Sequence, residues 1–236
     1  MLQIKNLSYS VENKLILDNI NLNFSAGKIV AITGHNGSGK STLVKIIMGI
    51  LTQTTGDVVY NKQVINNLSI TERSKLGFGY AFQQPVKFKG ITVQDLIEVV
   101  VGKQNLSVSC EYLSRVGLCA KDYLSREINS GLSGGELKRI ELAINLAQNK
   151  QINIYDEPEA GIDIWSFDNL VNIFKSLKNN KNLTIIVTHQ QKILDFADEI
   201  VVLDNGKISN YGPAKNILPS LKISVCKKLS KGGQNE

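Results

Sequence analysis

Short apolar runs separated by polar residues predict where the strands of this chain lie. In the first 24 residues these runs alternate with Asn, Asp and Lys, a pattern typical of antiparallel strands. Six further strands are predicted at 28–33, 56–60, 77–82, 152–155, 183–188 and 199–203. The last three runs are almost continuously apolar, as strands buried on both faces of a parallel sheet are.

Helical periodicity dominates the middle of the chain and the segments between the last strands. Apolar residues at helical spacing predict helices at 93–101 and 108–116, and a long amphipathic helix that begins at Ser133. Two more helices are predicted at about 163–178 and 190–197. Strands that alternate with helices in this way predict an α/β fold with a helical insertion.

A glycine-rich segment lies between the strand at 28–33 and the helical pattern that follows it. The spacing of Gly34, Gly39, Lys40 and Ser41 fits a phosphate-binding loop, whose backbone N–H groups bind anionic oxygens. Lys40 would bind phosphate and Ser41 would bind Mg²⁺. An ordinary turn has no use for this Lys-Ser pair. The predicted nucleotide-binding residues are Gly34, His35, Asn36, Gly37, Ser38, Gly39, Lys40, Ser41 and Thr42.

Two carboxylates follow the strand at 152–155. Because α/β sheets bind ligands at the carboxyl ends of their strands, Asp156 is predicted to hold Mg²⁺. Glu157 is predicted to orient or deprotonate an attacking water. An exposed acidic turn is the alternative interpretation, and the phosphate loop upstream argues against it.

The start of the long helix carries a second glycine-rich motif. Ser133 and Glu136 have the spacing of a capping box, which explains both residues structurally. Capping does not explain Gly134 and Gly135, because glycine weakens the first turn of a helix. A second anion site on the same chain suggests that two chains meet around a nucleotide.

These motifs together resemble the ATP-binding cassette (ABC) ATPase family over nearly the whole chain. Residues 34–41 resemble its Walker A loop, residues 132–136 its signature and residues 152–157 its Walker B strand. Gln83 resembles the Q-loop glutamine, and residues 161–163 resemble the end of its D-loop.

Two further residues match the family in place but have ordinary structural alternatives. His189 resembles the switch histidine, which senses the γ-phosphate, and would otherwise be a surface histidine. Tyr9 is similar in position to the aromatic that stacks on adenine, and would otherwise pack within its strand.

The resemblance implies an α/β P-loop NTPase fold with an antiparallel β subdomain and a helical subdomain. In this interpretation residues 1–236 form a single ABC ATPase domain. Residues 1–83 and 151–236 form the nucleotide-binding core, and residues 84–150 form the helical subdomain that carries the signature.

The resemblance also implies ATP and Mg²⁺ as cofactors and a homodimer that forms with ATP. Two ATP molecules would lie between Walker A of one chain and the signature of the other, where Ser133 and Gly135 would reach the γ-phosphate and Gly134 would also belong to the nucleotide-binding residues. The implied catalytic residues are Glu157, His189 and Gln83, and the implied metal-binding residues are Ser41, Gln83 and Asp156.

Local sequence differences favour one branch of the family. The run from Ser133 to Glu141 and the run from Ala81 to Gly90 resemble the SufC-like ATPase of the SUF iron-sulfur cluster assembly system. Residues 188–195 also resemble that branch, and the loop at 158–163 lacks the Ser-Ala-Leu-Asp common in transporters.

This resemblance implies a SufB/SufD-like scaffold protein as partner, with contacts from the segment after Gln83. The expected contact residues are Pro85, Val86, Phe88 and Ile91, although Phe88 could equally belong to the core of the helical subdomain. The alternative function is the ATP-binding subunit of an ABC membrane transporter.

Composition and motif count argue against several other functional classes. The net charge is +6, but only four of the 27 basic residues are Arg and no basic stripe contains interleaved aromatic residues, so nucleic-acid binding is not expected. A single Walker A also argues against ribosome-acting ABC proteins. No apolar run has the ~18 residues of a membrane span, so no direct membrane insertion is expected. Three scattered cysteines suit a reducing, cytoplasmic location.

Overall fold

The structure of the chain is a computed structural model that describes residues 1–102, 106–129, 131–178 and 181–221. The last part of the predicted core, residues 222–236, lies outside the described residues, as does Cys226. The division of the chain into a core and a helical subdomain at residues 84 and 150 stays a prediction.

Ten strands lie in the described ranges and form two sheets. In chain order they are β1 (Leu2–Val11), β2 (Lys14–Phe24), β3 (Ile29–Gly34), β4 (Thr55–Tyr60), β5 (Gln63–Val64), β6 (Phe78–Ala81), β7 (Ile152–Asp156), β8 (Leu183–Val187), β9 (Glu199–Asp204) and β10 (Lys207–Pro213). All strands predicted from the apolar runs are present, with boundaries that shift by a few residues at most.

Helices connect the strands and fill the middle of the chain. They are α1 (Lys40–Met48), α2 (Ile70–Lys75), α3 (Val93–Val101), α4 (Leu106–Arg115), α5 (Ala120–Tyr123), α6 (Gly134–Gln148), α7 (Ile164–Ser176) and α8 (Gln191–Leu194). Residues 214–221 are also helical. None of the helices in the described ranges combines the length and the apolar character that a membrane span requires.

The larger sheet has six strands in the order β10-β9-β3-β8-β7-β6. The neighbouring pairs from β9 to β6 are parallel, and β10 pairs antiparallel with β9. Because parallel strands share one carboxyl edge, the segments that follow β3, β6, β7 and β8 leave the sheet on the same side. The segments after β3, β7 and β8 carry the phosphate loop, Glu157 and His189. The segment after β6 carries Gln83.

The smaller sheet is antiparallel, in the order β2-β1-β4-β5, as the first part of the sequence predicts. It shares one large apolar cluster with helix α1 and one face of the parallel sheet. Leu2 and Ile4 of β1, Leu43 and Ile47 of α1, and Ile154 of β7 are all buried in this cluster. The phosphate loop is therefore anchored at the junction of the two sheets.

A second apolar cluster covers the opposite face of the parallel sheet with helices α3, α4, α6 and α7. Tyr155 faces this cluster, whereas its neighbour Ile154 faces the first one. Burial of both faces explains why the later strands are almost continuously apolar. It also fixes α6, and with it the signature motif, against the sheet.

Candidate functional site

Helix α1 presents an uncapped N-terminus to the phosphate loop. Its N-cap is Gly39, in the left-handed region at φ 101°, and no side chain caps the helix. Helices α2, α3 and α6 instead begin with complete capping boxes. The first N–H groups of α1 thus lack a side-chain acceptor, and a helix N-terminus of this kind attracts phosphate.

Close contacts with two strands explain the glycines of the loop. A Cβ on Gly34 would lie 1.9 Å from the Leu203 carbonyl oxygen in β9, and a Cβ on Gly39 would lie 2.6 Å from Leu17 Cδ2 in β2. The Gly206 N–H donates to the Ser38 carbonyl at 3.2 Å. Gly34 and Gly39 are therefore required by contacts within the chain as well as by any phosphate, which the sequence alone did not indicate, whereas an added Cβ on Gly37 would meet nothing within 4 Å in the described residues.

The remaining residues of the phosphate loop differ in how far their side chains are exposed to solvent. His35, Asn36 and Gly37 are exposed, whereas Ser38 is buried and its hydroxyl has no hydrogen-bond partner among the described residues. Thr42 is half-buried in the first turn of α1. A buried hydroxyl without a partner beside an uncapped helix fits an anionic ligand in this loop.

Lys40 lies folded over the loop. Its Nζ donates to the carbonyl oxygens of Gly34 and His35, both at 2.9 Å. Burial lowers the pKa of this ammonium, and the nearby Glu157 and Asp156 carboxylates raise it. The cation is thus held at the mouth of the loop, close to both predicted acidic residues.

Asp156 is buried at the end of β7 and holds two hydroxyl groups. Ser41 Oγ donates to its Oδ1 and the Tyr80 hydroxyl donates to its Oδ2, each at 2.9 Å. Burial, followed by the charge of Asp156, raises the pKa of Tyr80, so its hydroxyl keeps its proton and donates. The Ser41 hydroxyl and the Asp156 carboxylate are adjacent oxygen donors, which suits Mg²⁺. The role of Tyr80 was not predicted from the sequence.

The three predicted catalytic residues lie together, with Glu157 between Gln83 and His189. Gln83 Nε2 donates to Glu157 Oε2 at 2.6 Å, and His189 Nε2 lies 3.7 Å from Glu157 Oε1. Glu157 itself has a positive φ of 48°, which is uncommon for a residue with a side chain. Burial lowers the pKa of His189, the charge of Lys40 lowers it further and the charge of Glu157 opposes the change, so the neutral imidazole is favoured more than in an ordinary histidine.

Two residues of α6 hold the backbone of the Q-loop. Lys138 Nζ donates to the carbonyl oxygens of Phe82 and Gln83 at 2.6 and 2.7 Å, and Glu141 Oε1 accepts the Phe82 N–H at 2.8 Å. Lys138 is 4% exposed, and this burial lowers its pKa, while the charge of Glu141 opposes the shift. Sequence reasoning missed both roles, because the bonded groups are backbone atoms more than 50 positions away.

The predicted capping box is present at the start of α6. Ser133 N–H donates to Glu136 Oε2 at 2.7 Å, and Glu136 N–H donates to Ser133 Oγ at 3.2 Å. Hydrogen bonds from Tyr123 and from Ser133 lower the pKa of Glu136 to about 2. Within the described residues Ser133 is hydrogen-bonded to Glu136 and, through its carbonyl oxygen, to the Leu137 N–H, and none of these bonds joins it to the phosphate loop of its own chain.

The signature glycines have room around them. An added Cβ on Gly134 would meet nothing within 4 Å in the described residues, and on Gly135 it would lie 3.6 Å from the Gly161 carbonyl oxygen. Ser133 and Gly134 are exposed. This surface is accessible to a second chain, but the predicted contact with a partner's nucleotide stays a prediction.

Tyr9 lies in β1, where it pairs with Leu17 of β2 and packs, half-buried, against the main apolar cluster. This is the packing role that the sequence left open as the alternative. Its predicted stacking on adenine stays a prediction.

Comparison with known proteins gives the same family for sequence and fold. The family described as "ABC transporter" matches residues 17–160. An uncharacterized ABC transporter ATP-binding protein of Methanocaldococcus jannaschii is 34% identical over 92% of this chain and 90% of its own length. A probable ATP-dependent transporter, slr0075, of Synechocystis sp. is 34% identical over 90% of this chain and 89% of its own length.

The fold agrees with solved structures of single cassettes. The dimeric structure of a post-hydrolysis state of the ATP-binding cassette MJ0796, bound to ADP and Pi, superposes with a TM-score of 0.80. The match has 26% identity and covers 91% of this chain and 99% of the other. The predicted fold class, an α/β P-loop core with an antiparallel β subdomain and a helical subdomain, is confirmed.

Proposed function

Since the chain belongs to the ABC transporter family and is an ATPase, we propose that it is the ATP-hydrolysing subunit of a SUF-type iron-sulfur cluster assembly complex. The observation that carries this proposal is a contact between the two stretches that resemble SufC-like ATPases. Lys138 and Glu141 of one stretch bind the backbone of Phe82 and Gln83 in the other. The features that favour this branch therefore form one structural unit beside the site.

Binding of Mg²⁺ and ATP is assigned to the oxygen and nitrogen groups around Asp156. Ser41 and Asp156 would hold Mg²⁺, together with Gln83, and Lys40 with the loop N–H groups would hold the phosphates. When bound, Mg²⁺ supplies positive charge that neutralises the phosphate oxygens. The carbonyls of Gly34 and His35 accept two of the three N–H donors of Lys40, so one remains for a phosphate oxygen.

Glu157 is proposed as the base that accepts a proton from the attacking water. Gln83 fixes one oxygen of this carboxylate by its 2.6 Å hydrogen bond, and the neutral His189 faces the other. The hydrogen bond from Gln83 restricts the orientation of the carboxylate before the reaction, which is a form of preorganisation. His189 and Gln83 thus position the base and would contact the γ-phosphate.

ATP-dependent dimerisation is proposed to complete each site. Ser133 and Gly134 are exposed on the helical layer, and a cassette with the same fold is dimeric in its post-hydrolysis state. In this arrangement Ser133, Gly134 and Gly135 of one chain would bind the nucleotide held by Walker A of the other.

The partner surface is proposed to lie beside Gln83. Phe82 and Val86 are 36% and 44% exposed, and large exposed apolar side chains of this kind mark interaction sites when they cluster. Phe88 instead packs, half-buried, against the helical cluster, so we assign it to the core. A SufB/SufD-like scaffold would bind this surface in the cytoplasm and would supply the ligands of the cluster.

The second candidate function is the ATP-binding subunit of an ABC membrane transporter. It is favoured by the names of the relatives, among them probable ATP-dependent transporters such as ycf16 of Antithamnion sp., which is 34% identical over 90% of this chain.

Purification of the tagged chain under anaerobic conditions distinguishes the two functions. We expect scaffold chains that carry iron and acid-labile sulfide to co-purify, and Phe82→Ser with Val86→Ser to lose them while ATP hydrolysis continues. Leu106→Ser with Val99→Ser, at exposed apolar positions of α4 and α3, is the matched control. Co-purification with integral membrane permease chains alone would reject the SUF assignment.

A further inference from the structure

We infer that Glu159, a residue with no assigned role, is a positioning residue. It holds the loop that carries His189 against the loop that carries Glu157. This inference rests on the proposed roles of Glu157 and His189. The contact that defines it is a hydrogen bond that the Thr188 hydroxyl donates to Glu159 Oε1 at 2.5 Å.

The hydrogen bond connects two loops that leave neighbouring strands of the sheet. Glu159 lies two residues after Glu157, and Thr188 lies one residue before His189. In the described residues, a hydrogen bond from the His189 backbone N–H to the Glu159 carboxylate and the approach of His189 to Glu157 also link these loops. The 3.7 Å separation of His189 Nε2 and Glu157 Oε1 therefore depends on how these loops are held.

Thr188 is well suited to transmit this restraint because it is fixed at three points. It is fully buried, its N–H donates to the Ile32 carbonyl at 3.0 Å, and its hydroxyl accepts the Gln190 N–H at 3.0 Å. Ile32 lies in β3, two residues before Gly34. The same threonine thus links Glu159 to the strand that delivers the phosphate loop.

The environment of Glu159 is unusual for a residue that only packs. Its Oε2 is buried and has no hydrogen-bond partner in the described residues. Burial raises the pKa of Glu159, while the hydrogen bonds from Thr188 and from backbone N–H groups, including that of His189, oppose this rise. Burying a carboxyl group costs free energy unless its contacts repay it. A hydrogen bond that fixes the positions of Glu157 and His189 explains why a buried carboxyl group is kept at position 159.

Substitutions that remove either side of the bond test this inference. Glu159→Ala removes the acceptor, and Thr188→Val removes the donor at nearly constant volume. Each is expected to lower kcat for ATP hydrolysis by about tenfold or more, since small displacements of reacting groups have large effects on rate. KM for ATP is expected to stay within about twofold, because the phosphate-binding groups are untouched.

Conservative variants and a double variant separate positioning from general damage. Glu159→Gln keeps an acceptor oxygen and Thr188→Ser keeps the hydroxyl, so both are expected to retain kcat within about threefold of the wild type. The double variant Glu159→Ala with Thr188→Val is expected to lose less activity than the product of the two single losses, because the two changes share the hydrogen bond between these residues. Circular dichroism and ATP affinity of each variant establish that it is folded.

The outcomes also separate this inference from the proposed role of Glu157. Independent, multiplying losses in the double variant, or a wild-type kcat in Glu159→Ala, would overturn the positioning role. Glu157→Gln is measured in parallel. If it hydrolyses ATP at the wild-type rate, the role of Glu157 and this inference both fail; if it is inactive while Glu159→Ala is not, only this inference fails.

Discussion

Glu157→Gln is expected to bind ATP with nearly wild-type affinity and to hydrolyse it at least about 100-fold more slowly, the scale of general-base catalysis. The amide keeps the size of the side chain and an acceptor for Gln83, but it cannot take a proton from water. Because hydrolysis ends the ATP-bound state, the variant is also expected to accumulate as a dimer with ATP. Phosphate release and size-exclusion chromatography with light scattering measure the two effects.

The matched control is Glu111→Gln, which makes the same change at an exposed position of α4. It should hydrolyse ATP at the wild-type rate and dissociate normally. Hydrolysis by Glu157→Gln at the wild-type rate would remove this residue from the role of base.

Lys40→Ala is expected to weaken ATP binding itself, by roughly tenfold to a hundredfold. A charge-assisted hydrogen bond to phosphate is worth about 1.5–3 kcal/mol, which corresponds to this range. The structure places the ammonium at the mouth of the loop, folded onto the Gly34 and His35 carbonyls. Isothermal titration calorimetry with ATP and Mg²⁺ measures the change in affinity.

Lys45→Ala serves as the control, since Lys45 is a half-exposed lysine in the last turn of the same helix. The chain should keep its affinity for ATP after this change. Equal affinities for Lys40→Ala and the wild type would mean that the loop N–H groups bind phosphate without help from Lys40.

The convergence of the site residues could be predicted because of sheet geometry. Gly34 and Asp156 are the last residues of their strands, and the segments that reach Gln83 and His189 follow the carboxyl ends of two more parallel strands. Parallel strands with buried faces are recognisable from continuous apolar runs, and their ends meet at one edge. Sequence spacing and strand order therefore suffice to bring these residues together.

Other parts of the structure could not be predicted because their determinants are not local. Strand β10 has mostly exposed positions, and it pairs at the sheet edge without an apolar run of its own. In the sequence Tyr80 has the pattern of an ordinary strand residue. Only the pairing of β6 with β7 brings its hydroxyl to Asp156. The bonds of Lys138 to backbone carbonyls depend on how α6 packs, which no residue pattern encodes.

The phosphate loop has features that could be predicted from the sequence and others that could not. Its glycines were predicted from the spacing of a phosphate-binding motif, but the close approach of Leu203 to Gly34 became visible only in the folded chain. A motif therefore identified the loop, and long-range packing explains part of why glycine is required in it.

The central claim is that ATP hydrolysis by this chain serves cluster assembly on a scaffold partner. The most direct measurement is the iron and acid-labile sulfide content of the co-purified scaffold from cells that contain either the wild-type chain or Glu157→Gln. The account predicts a scaffold that carries clusters with the wild type and far fewer with the variant. An equal cluster content in both cells would contradict it.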